Sequence, residues 1–240
     1  MDMNNKNEKC VWLSALTLGG IGFFLRYFLY QVGYDRKGLL VRWHPLTTTL
    51  VACGAVMLII AAVMALTREK GLSAGPVGTA PAIGSLCLIL GLSVTLIRGR
   101  QNGLPVYLQV LGFVAAAALA VAAVFQLMNK QPHFLTHGIL CLFLGFYLVN
   151  RYQMWRHVPQ LTEYLPGLLA GVSMLLYSYH LSAGSLGQLS RRAWLAVSGM
   201  GIFLCLTAGS GGEAANLCLG AGLWMLTGLW TGTGEGEQAL

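Results

Sequence analysis

Charged residues are scarce in this chain, and their scarcity restricts the class of protein. Only 10% of the 240 residues are charged, whereas 56% are hydrophobic. Soluble domains typically carry about 25% charged residues. Because this chain lacks the polar shell that a soluble core needs, we expect lipid to be its solvent. The composition therefore disfavours an ordinary soluble domain and indicates an integral membrane protein, which we place in the cell membrane.

Acidic groups and recognisable catalytic motifs are also missing from the apolar runs. None of the eight acidic residues lies in the middle of such a run, which disfavours a proton relay of the kind found in pumps. The sequence lacks paired carboxylates for a di-metal enzyme and the GxxxxGK[ST] loop of nucleotide hydrolases. The six cysteines include no CxxC pair, so neither a disulfide framework nor a zinc site is indicated. We predict no cofactor, and no motif identifies a family.

Basic residues outnumber acidic ones and give a formal charge of +7. They occur in twos and threes between the apolar runs, where loops at a membrane surface keep them. Proteins that bind nucleic acid concentrate such charge on one face or stretch. We therefore predict membrane lipids as partners, with other membrane subunits as an alternative, and no nucleic acid. The basic residues divide equally between the two predicted sides, so they do not orient the chain.

Apolar runs dominate the chain, and most approach the roughly 20 residues that cross a bilayer core. The eight predicted spans are 11–32, 45–67, 81–97, 104–127, 134–150, 164–184, 193–209 and 214–230. We predict an all-α fold, a polytopic transmembrane helix bundle with a single domain over residues 1–231 and a flexible acidic tail over 232–240. Seven spans result instead if the last two runs form a re-entrant hairpin shielded by protein.

Most candidate site residues lie in the hairpin of the fifth and sixth runs, around which we expect the other spans to pack. His133, His137 and Cys141 follow a four-residue step and share a helical face. His137 and His180 lie about one turn from the same membrane surface, and Tyr177 shares the face of His180. These groups suit a metal or haem site, or simply polar contacts near the interface. We favour the second interpretation, because no carboxylate is positioned to orient the imidazoles.

Arg26 is the one basic residue inside a predicted span. An arginine there is costly unless it snorkels, pairs or faces water. One interpretation is a site for an anion or a phosphate headgroup, and Arg151 falls on the same predicted side. The other, which we favour, is snorkelling to the interface with Tyr27 and Tyr30 as anchors.

A faint repeat links two span beginnings. The sequence His44-Pro45-Leu46-Thr47 opens the second span, and His133-Phe134-Leu135-Thr136 opens the fifth. A repeat offset by three spans would be inverted in topology, as in many secondary transporters.

Three functional classes follow. The first is a permease-like, small-solute-binding or lipid-binding protein with a polar pocket within the bundle. The candidate residues for that pocket are Arg26, His133, His137, Tyr177 and His180. The second is a structural or accessory subunit of a membrane complex, motivated by the small residues of spans four, seven and eight. The third, and least favoured, is a metal- or haem-dependent enzyme that uses the histidines of spans five and six.

Overall fold

The computed structural model describes residues 3–33, 44–66, 72–73, 76–101, 104–155, 161–212 and 214–232. Within these residues the chain is an all-α bundle, which confirms the predicted fold class. The helices are α1 (Met3–Val32), α2 (Pro45–Leu66), α3 (Thr79–Gln101), α4 (Val106–Leu127), α5 (Phe134–Trp155), α6 (Leu161–Gly184), α7 (Arg191–Ala208) and α8 (Ala215–Gly232). Two short strands, β1 (Leu72–Ser73) and β2 (Leu189–Ser190), pair antiparallel. The predicted tail begins at Gly232, which is the last residue of α8, and the rest of that tail, residues 233–240, lies outside the described residues.

The helix lengths suit a multi-pass membrane protein. Helices α1 to α5 are each long and apolar enough to cross a membrane, and α8 contains a shorter apolar stretch, Ala215–Trp230. The last two helices have 18 residues each, which corresponds to about 27 Å of helix. That length approaches the roughly 30 Å of hydrocarbon in a typical bilayer.

The centre of the bundle is formed by α7 and α8, and the prediction that α5 and α6 occupy it is wrong. Helix α7 packs against α1, α2, α6 and α8, while α8 packs against α3 and α7 and touches α1 and α6. The bulky residues of α5, such as Leu142, Phe146 and Val149, are exposed on the outside of the bundle. The many small residues of α7 and α8 instead allow neighbours to approach on several sides.

Glycine residues make the contact between α3 and α8 especially close. A Cβ atom on Gly220 would lie 2.6 Å from the carbonyl oxygen of Cys87, and one on Gly91 would collide with the carbonyl of Asn216. Because both obstacles are backbone atoms, neither can rotate away. Small residues commonly allow membrane helices to approach in this way. The glycines of α8 are therefore used for packing within the chain.

Candidate functional site

Two serine hydrogen bonds set the register of α5 against α6. The Ser178 hydroxyl donates to the His137 carbonyl at 2.8 Å, and the Ser182 hydroxyl donates to the Phe134 carbonyl at 2.9 Å. The beginning of α5 and the end of α6 therefore lie side by side, as expected for antiparallel neighbours. His137 is buried at this end of the bundle.

His137 belongs to a buried group of rings that we call the aromatic cluster: His137, Tyr177, Trp194 and Trp224. The Tyr177 ring packs edge-on against Trp224, with 4.7 Å between ring centroids. The His137 ring lies 6.0 Å from Trp224 on the same measure. The two tryptophans come from α7 and α8, and sequence reasoning missed them. A tryptophan near a helix end is usual at a membrane interface, so nothing in the sequence marked Trp194.

Three polar atoms of the aromatic cluster are buried without a hydrogen-bond partner among the described residues. They are Nδ1 of His137, the Tyr177 hydroxyl and Nε1 of Trp194. The Tyr177 hydroxyl lies beside the Trp194 indole, but the pair lacks the geometry of a hydrogen bond. Each buried polar group left unsatisfied costs about 1–3 kcal/mol, so this concentration is unusual for a packed interior.

His133 lies outside the aromatic cluster and caps α5. It is exposed, and its Nδ1 accepts a hydrogen bond from the Leu135 backbone N–H at 3.4 Å. His44 caps α2 in the same way, with Nδ1 3.3 Å from the Leu46 backbone nitrogen. Side chains that accept from the first backbone N–H groups stabilise helix beginnings. The similarity between the two span beginnings therefore has a local explanation in capping.

The described residues of the α5–α6 hairpin do not form a set of metal ligands. Within the described ranges, no three or more His, Cys, Asp or Glu side chains gather where they could hold a metal ion. Cys141 faces the Leu175 carbonyl, with its sulfur 3.9 Å from the oxygen. His180 is half-buried next to Tyr179, at 5.7 Å between ring centroids. The histidines of the hairpin thus have separate surroundings.

Arg26 turns inward onto α7, so the expected snorkelling is not observed. Its side chain is only 7% exposed. Nη2 donates to the Tyr30 hydroxyl at 3.0 Å, and Nη1 lies 3.5 Å from the Thr207 carbonyl in the last turn of α7. Helix C-terminal carbonyls carry negative partial charge that attracts a cation. Gly22 makes this approach possible, because a Cβ there would collide with the Thr207 side chain.

Arg151 is held in a matching arrangement near the end of α5. It is 4% exposed, and its Nε donates to the Tyr147 hydroxyl at 3.1 Å while the guanidinium lies 5.2 Å from the ring centroid. The guanidinium of Arg26 lies 5.5 Å from the Tyr30 centroid. Each arginine thus rests against a tyrosine one helical turn away.

The two arginines approach the same part of α8. Cys218, in the first turn of α8, lies within electrostatic range of Arg26 and also lines a cleft beside Arg151. Arg151 follows His137 by 14 residues in α5, or about 21 Å along the helix. We call this end of the bundle the arginine site and define it by Arg26, Tyr30, Tyr147, Arg151 and Thr207. It lies opposite the aromatic cluster.

The cleft beside Arg151 joins a charged end to apolar walls. It encloses about 10 Å³, which is room for about one water molecule. The apolar part of the lining includes Leu144, Leu148, Leu168 and Met174. In this conformation the cleft is therefore too narrow for a solute. It has a charged group at one end and apolar walls along the rest.

Two further buried polar groups lie at the same end of the bundle as the arginines. The Thr207 hydroxyl and Oδ1 of Asn150 are buried and have no hydrogen-bond partner among the described residues. Thr207 neighbours Arg26 through its carbonyl, and Asn150 precedes Arg151 in α5. A threonine hydroxyl can donate as well as accept, and the oxygen and nitrogen of an asparagine amide can exchange places. The Thr207 hydroxyl, next to Arg26, is therefore able to donate to an oxygen atom of an anion.

The five predicted pocket residues are thus divided between the ends of the bundle. His137 and Tyr177 join the aromatic cluster, whereas Arg26 belongs to the arginine site. His133 and His180 lie at the same end as the aromatic cluster but outside it. Comparisons of the chain with protein-family models, with curated proteins and with solved structures find no match.

Proposed function

We propose that this multi-pass protein of the cell membrane binds an anionic amphiphile through a phosphate-bearing headgroup at the arginine site. The observation that supports this function is the burial of two arginines at one end of the bundle. Arginine inside a membrane span is costly and commonly marks a functional position. The headgroup is the shared chemistry, and either a lipid or free phosphate could supply it.

The form of the arginine side chain suits this ligand. A guanidinium is planar and binds phosphate through paired N–H groups, which a lysine cannot reproduce. The contacts to Tyr30 and Tyr147 hold both guanidinium groups in defined orientations. The amino-terminal end of α8 also contributes positive partial charge close to Cys218. Orientation and charge therefore favour an oxyanion over a neutral solute.

The apolar walls favour a lipid as the source of the headgroup. Leu144, Leu148 and Leu168 line the cleft that begins at Arg151 and lies between α5 and α6. A Cβ on Gly171 would collide with the Leu148 side chain, whereas one on Gly167 would meet no atom within 4 Å. A bound acyl chain would displace the flexible Leu148 side chain and use the space beside Gly167.

The test measures lipid binding by the purified full chain in nanodiscs. The probes are fluorescent phosphatidic acid, fluorescent phosphatidylcholine and inorganic phosphate as competitor. We expect a preference for phosphatidic acid that weakens about tenfold or more in the Arg26→Gln and Arg151→Gln variants, since a charged hydrogen bond is worth about 1.5–3 kcal/mol. Arg98→Gln removes an exposed arginine near the end of α3 and is the matched control.

Each outcome of this test has a clear meaning. Displacement of the lipid probe by millimolar phosphate would identify free phosphate as the ligand. Equal binding of the two lipids, unaltered by either buried-arginine variant, would refute the proposed function. Circular dichroism and size-exclusion profiles establish that each variant is folded.

No second function is proposed. The glycines of α8 that suggested a subunit interface face other helices of the same chain: Gly220 meets α3, Gly222 meets α7 and Gly228 meets Tyr177 of α6. The histidines that suggested an enzyme do not gather into a group of three metal ligands among the described residues. The cleft at Arg151 has mainly apolar walls, and the Leu148 side chain in it can move aside, so an acyl chain suits it better than a hydrated solute does.

A further inference from the structure

We propose that the aromatic cluster encloses a bound water molecule between His137, Tyr177 and Trp194. This inference is independent of the proposed lipid site, which lies at the other end of the bundle. It starts from three buried atoms without a partner in the described part of the chain: His137 Nδ1, the Tyr177 hydroxyl and Trp194 Nε1. The exposed fraction is 2% for His137, 0% for Tyr177 and 4% for Trp194.

The three atoms belong to three successive helices, and a fourth helix closes the group. His137 comes from α5, Tyr177 from α6 and Trp194 from α7. Trp224 of α8 packs against the rings of both His137 and Tyr177. A Cβ on Gly228 would collide with the Tyr177 hydroxyl, so the glycine leaves space for that oxygen in the interior.

Their hydrogen-bonding properties complement one another around water. The indole N–H of Trp194 only donates, the Tyr177 hydroxyl donates and accepts, and neutral His137 offers either an acceptor or a donor at Nδ1. A water molecule can accept from the indole, exchange a bond with the hydroxyl and bond to the imidazole. An anion or a cation would have no charged partner among these three groups.

The energetics favour an occupied site. Buried waters typically make about three hydrogen bonds to polar groups that are otherwise unsatisfied. Ordering one such water costs less than leaving three buried groups without partners. Because His137 is in the first turn of α5, the site is also near the membrane surface, from which water can enter.

The direction in which one substitution changes the Tm distinguishes a hydrated site from a dry one. If water bridges the cluster, Tyr177→Phe removes one of its partners and lowers the Tm by about 2–4 °C. If the site is dry, the same change removes an unsatisfied hydroxyl and raises the Tm. Tyr179→Phe alters an exposed neighbour and should leave the Tm unchanged.

A double-mutant cycle and a density map complete the test. With a shared water, the Tm changes for Tyr177→Phe and Trp194→Phe combine non-additively. A map of the full chain at about 2 Å resolution should show a single peak within hydrogen-bonding distance of all three atoms, and this measurement needs no variant. A raised Tm for Tyr177→Phe, an empty map or a larger ligand in the density would each overturn the assignment of water.

Discussion

The Nη1 atom of Arg26 lies 3.5 Å from the carbonyl oxygen of Thr207, so a side chain from the first helix caps the end of the seventh. The neighbouring Tyr30 ring covers the turn that follows, where a Cβ on Gly211 would lie 2.6 Å from it. One face of α1 therefore fixes the connection between the two central helices. The arginine thus has a structural role in addition to its place in the proposed binding site.

Replacing Arg26 by methionine should destabilise the bundle, because the end of α7 loses its cationic cap and Tyr30 loses its partner. Removing a charged hydrogen-bond donor costs about 1.5–3 kcal/mol. The stability of Arg26→Lys should lie between that of the unaltered protein and that of Arg26→Met, since lysine keeps the charge but not the planar group. The apparent Tm in detergent measures the effect, with Arg98→Met as control. An unaltered Tm for Arg26→Met would contradict the capping role.

Adding one methyl group at Gly220 should destabilise the contact between α3 and α8. The new Cβ would meet the Cys87 carbonyl, and overpacking of this kind typically costs about 1–3 kcal/mol. Gly20→Ala is the matched control, because no atom lies within 4 Å of the added carbon. That control should be neutral or stabilising by up to about 1 kcal/mol, as alanine is the better helix former. Thermal unfolding compares the two, and equal effects would argue against the close helix contact.

His133→Ala should lower stability through loss of a helix cap, with a cost of about 0.5–2 kcal/mol. His133→Asn should recover most of that loss, because asparagine is a good capping residue. His44→Ala provides a parallel case at α2. Thermal unfolding with and without added zinc is the measurement. A zinc-dependent rise in Tm that disappears in His133→Ala would instead favour a metal role.

Gly167→Leu should block the proposed lipid cleft without changing any charge. The side chain would enter the space beside Gly167, which the described atoms leave open. We expect phosphatidic acid binding to fall to the level of the Arg151→Gln variant while the Tm stays unchanged. Gly20→Leu introduces the same side chain on α1 as control. Full lipid binding by a folded Gly167→Leu variant would exclude the cleft as the site of the acyl chain.

The alternating helix directions predict which loops share a membrane side. Cysteines introduced at Lys130, after α4, and at Leu186, after α6, should react together with a membrane-impermeant maleimide in sealed vesicles. A cysteine at Ser210, between α7 and α8, should react only from the other side. The native cysteines are first replaced by serine or alanine. Labelling of all three positions from one side would contradict a full crossing by α7.

The helices were largely predictable because the signal for each is local. The predicted fifth span begins at Phe134 and the sixth ends at Gly184, as the helices do. Helix α1 begins earlier than predicted, at Met3 rather than Val11, because hydropathy marks the membrane limit and a helix can continue beyond it. Apolar length and polar interruptions therefore locate spans more precisely than helix ends.

The inward faces of the helices were not predictable from the sequence. In water, a helix shows its buried face through alternating polar and apolar positions, but lipid allows both faces to be apolar. The position of Trp194 inside the aromatic cluster and the inward turn of Arg26 depend on contacts with distant helices. The mistaken central position of α5 and α6 has the same cause, since ionisable residues indicate possible sites and not packing order.

The position of α7 and α8 at the centre has a consequence for biosynthesis. A ribosome makes these two segments after α1, α2, α3 and α6, which pack directly against them, so those four segments enter the bilayer before these packing partners exist. The early segments must therefore wait as a loosely associated assembly, and a polypeptide terminated before Ala214 would lack half of its centre. Assembly of the centre is thereby coupled to the synthesis of α8.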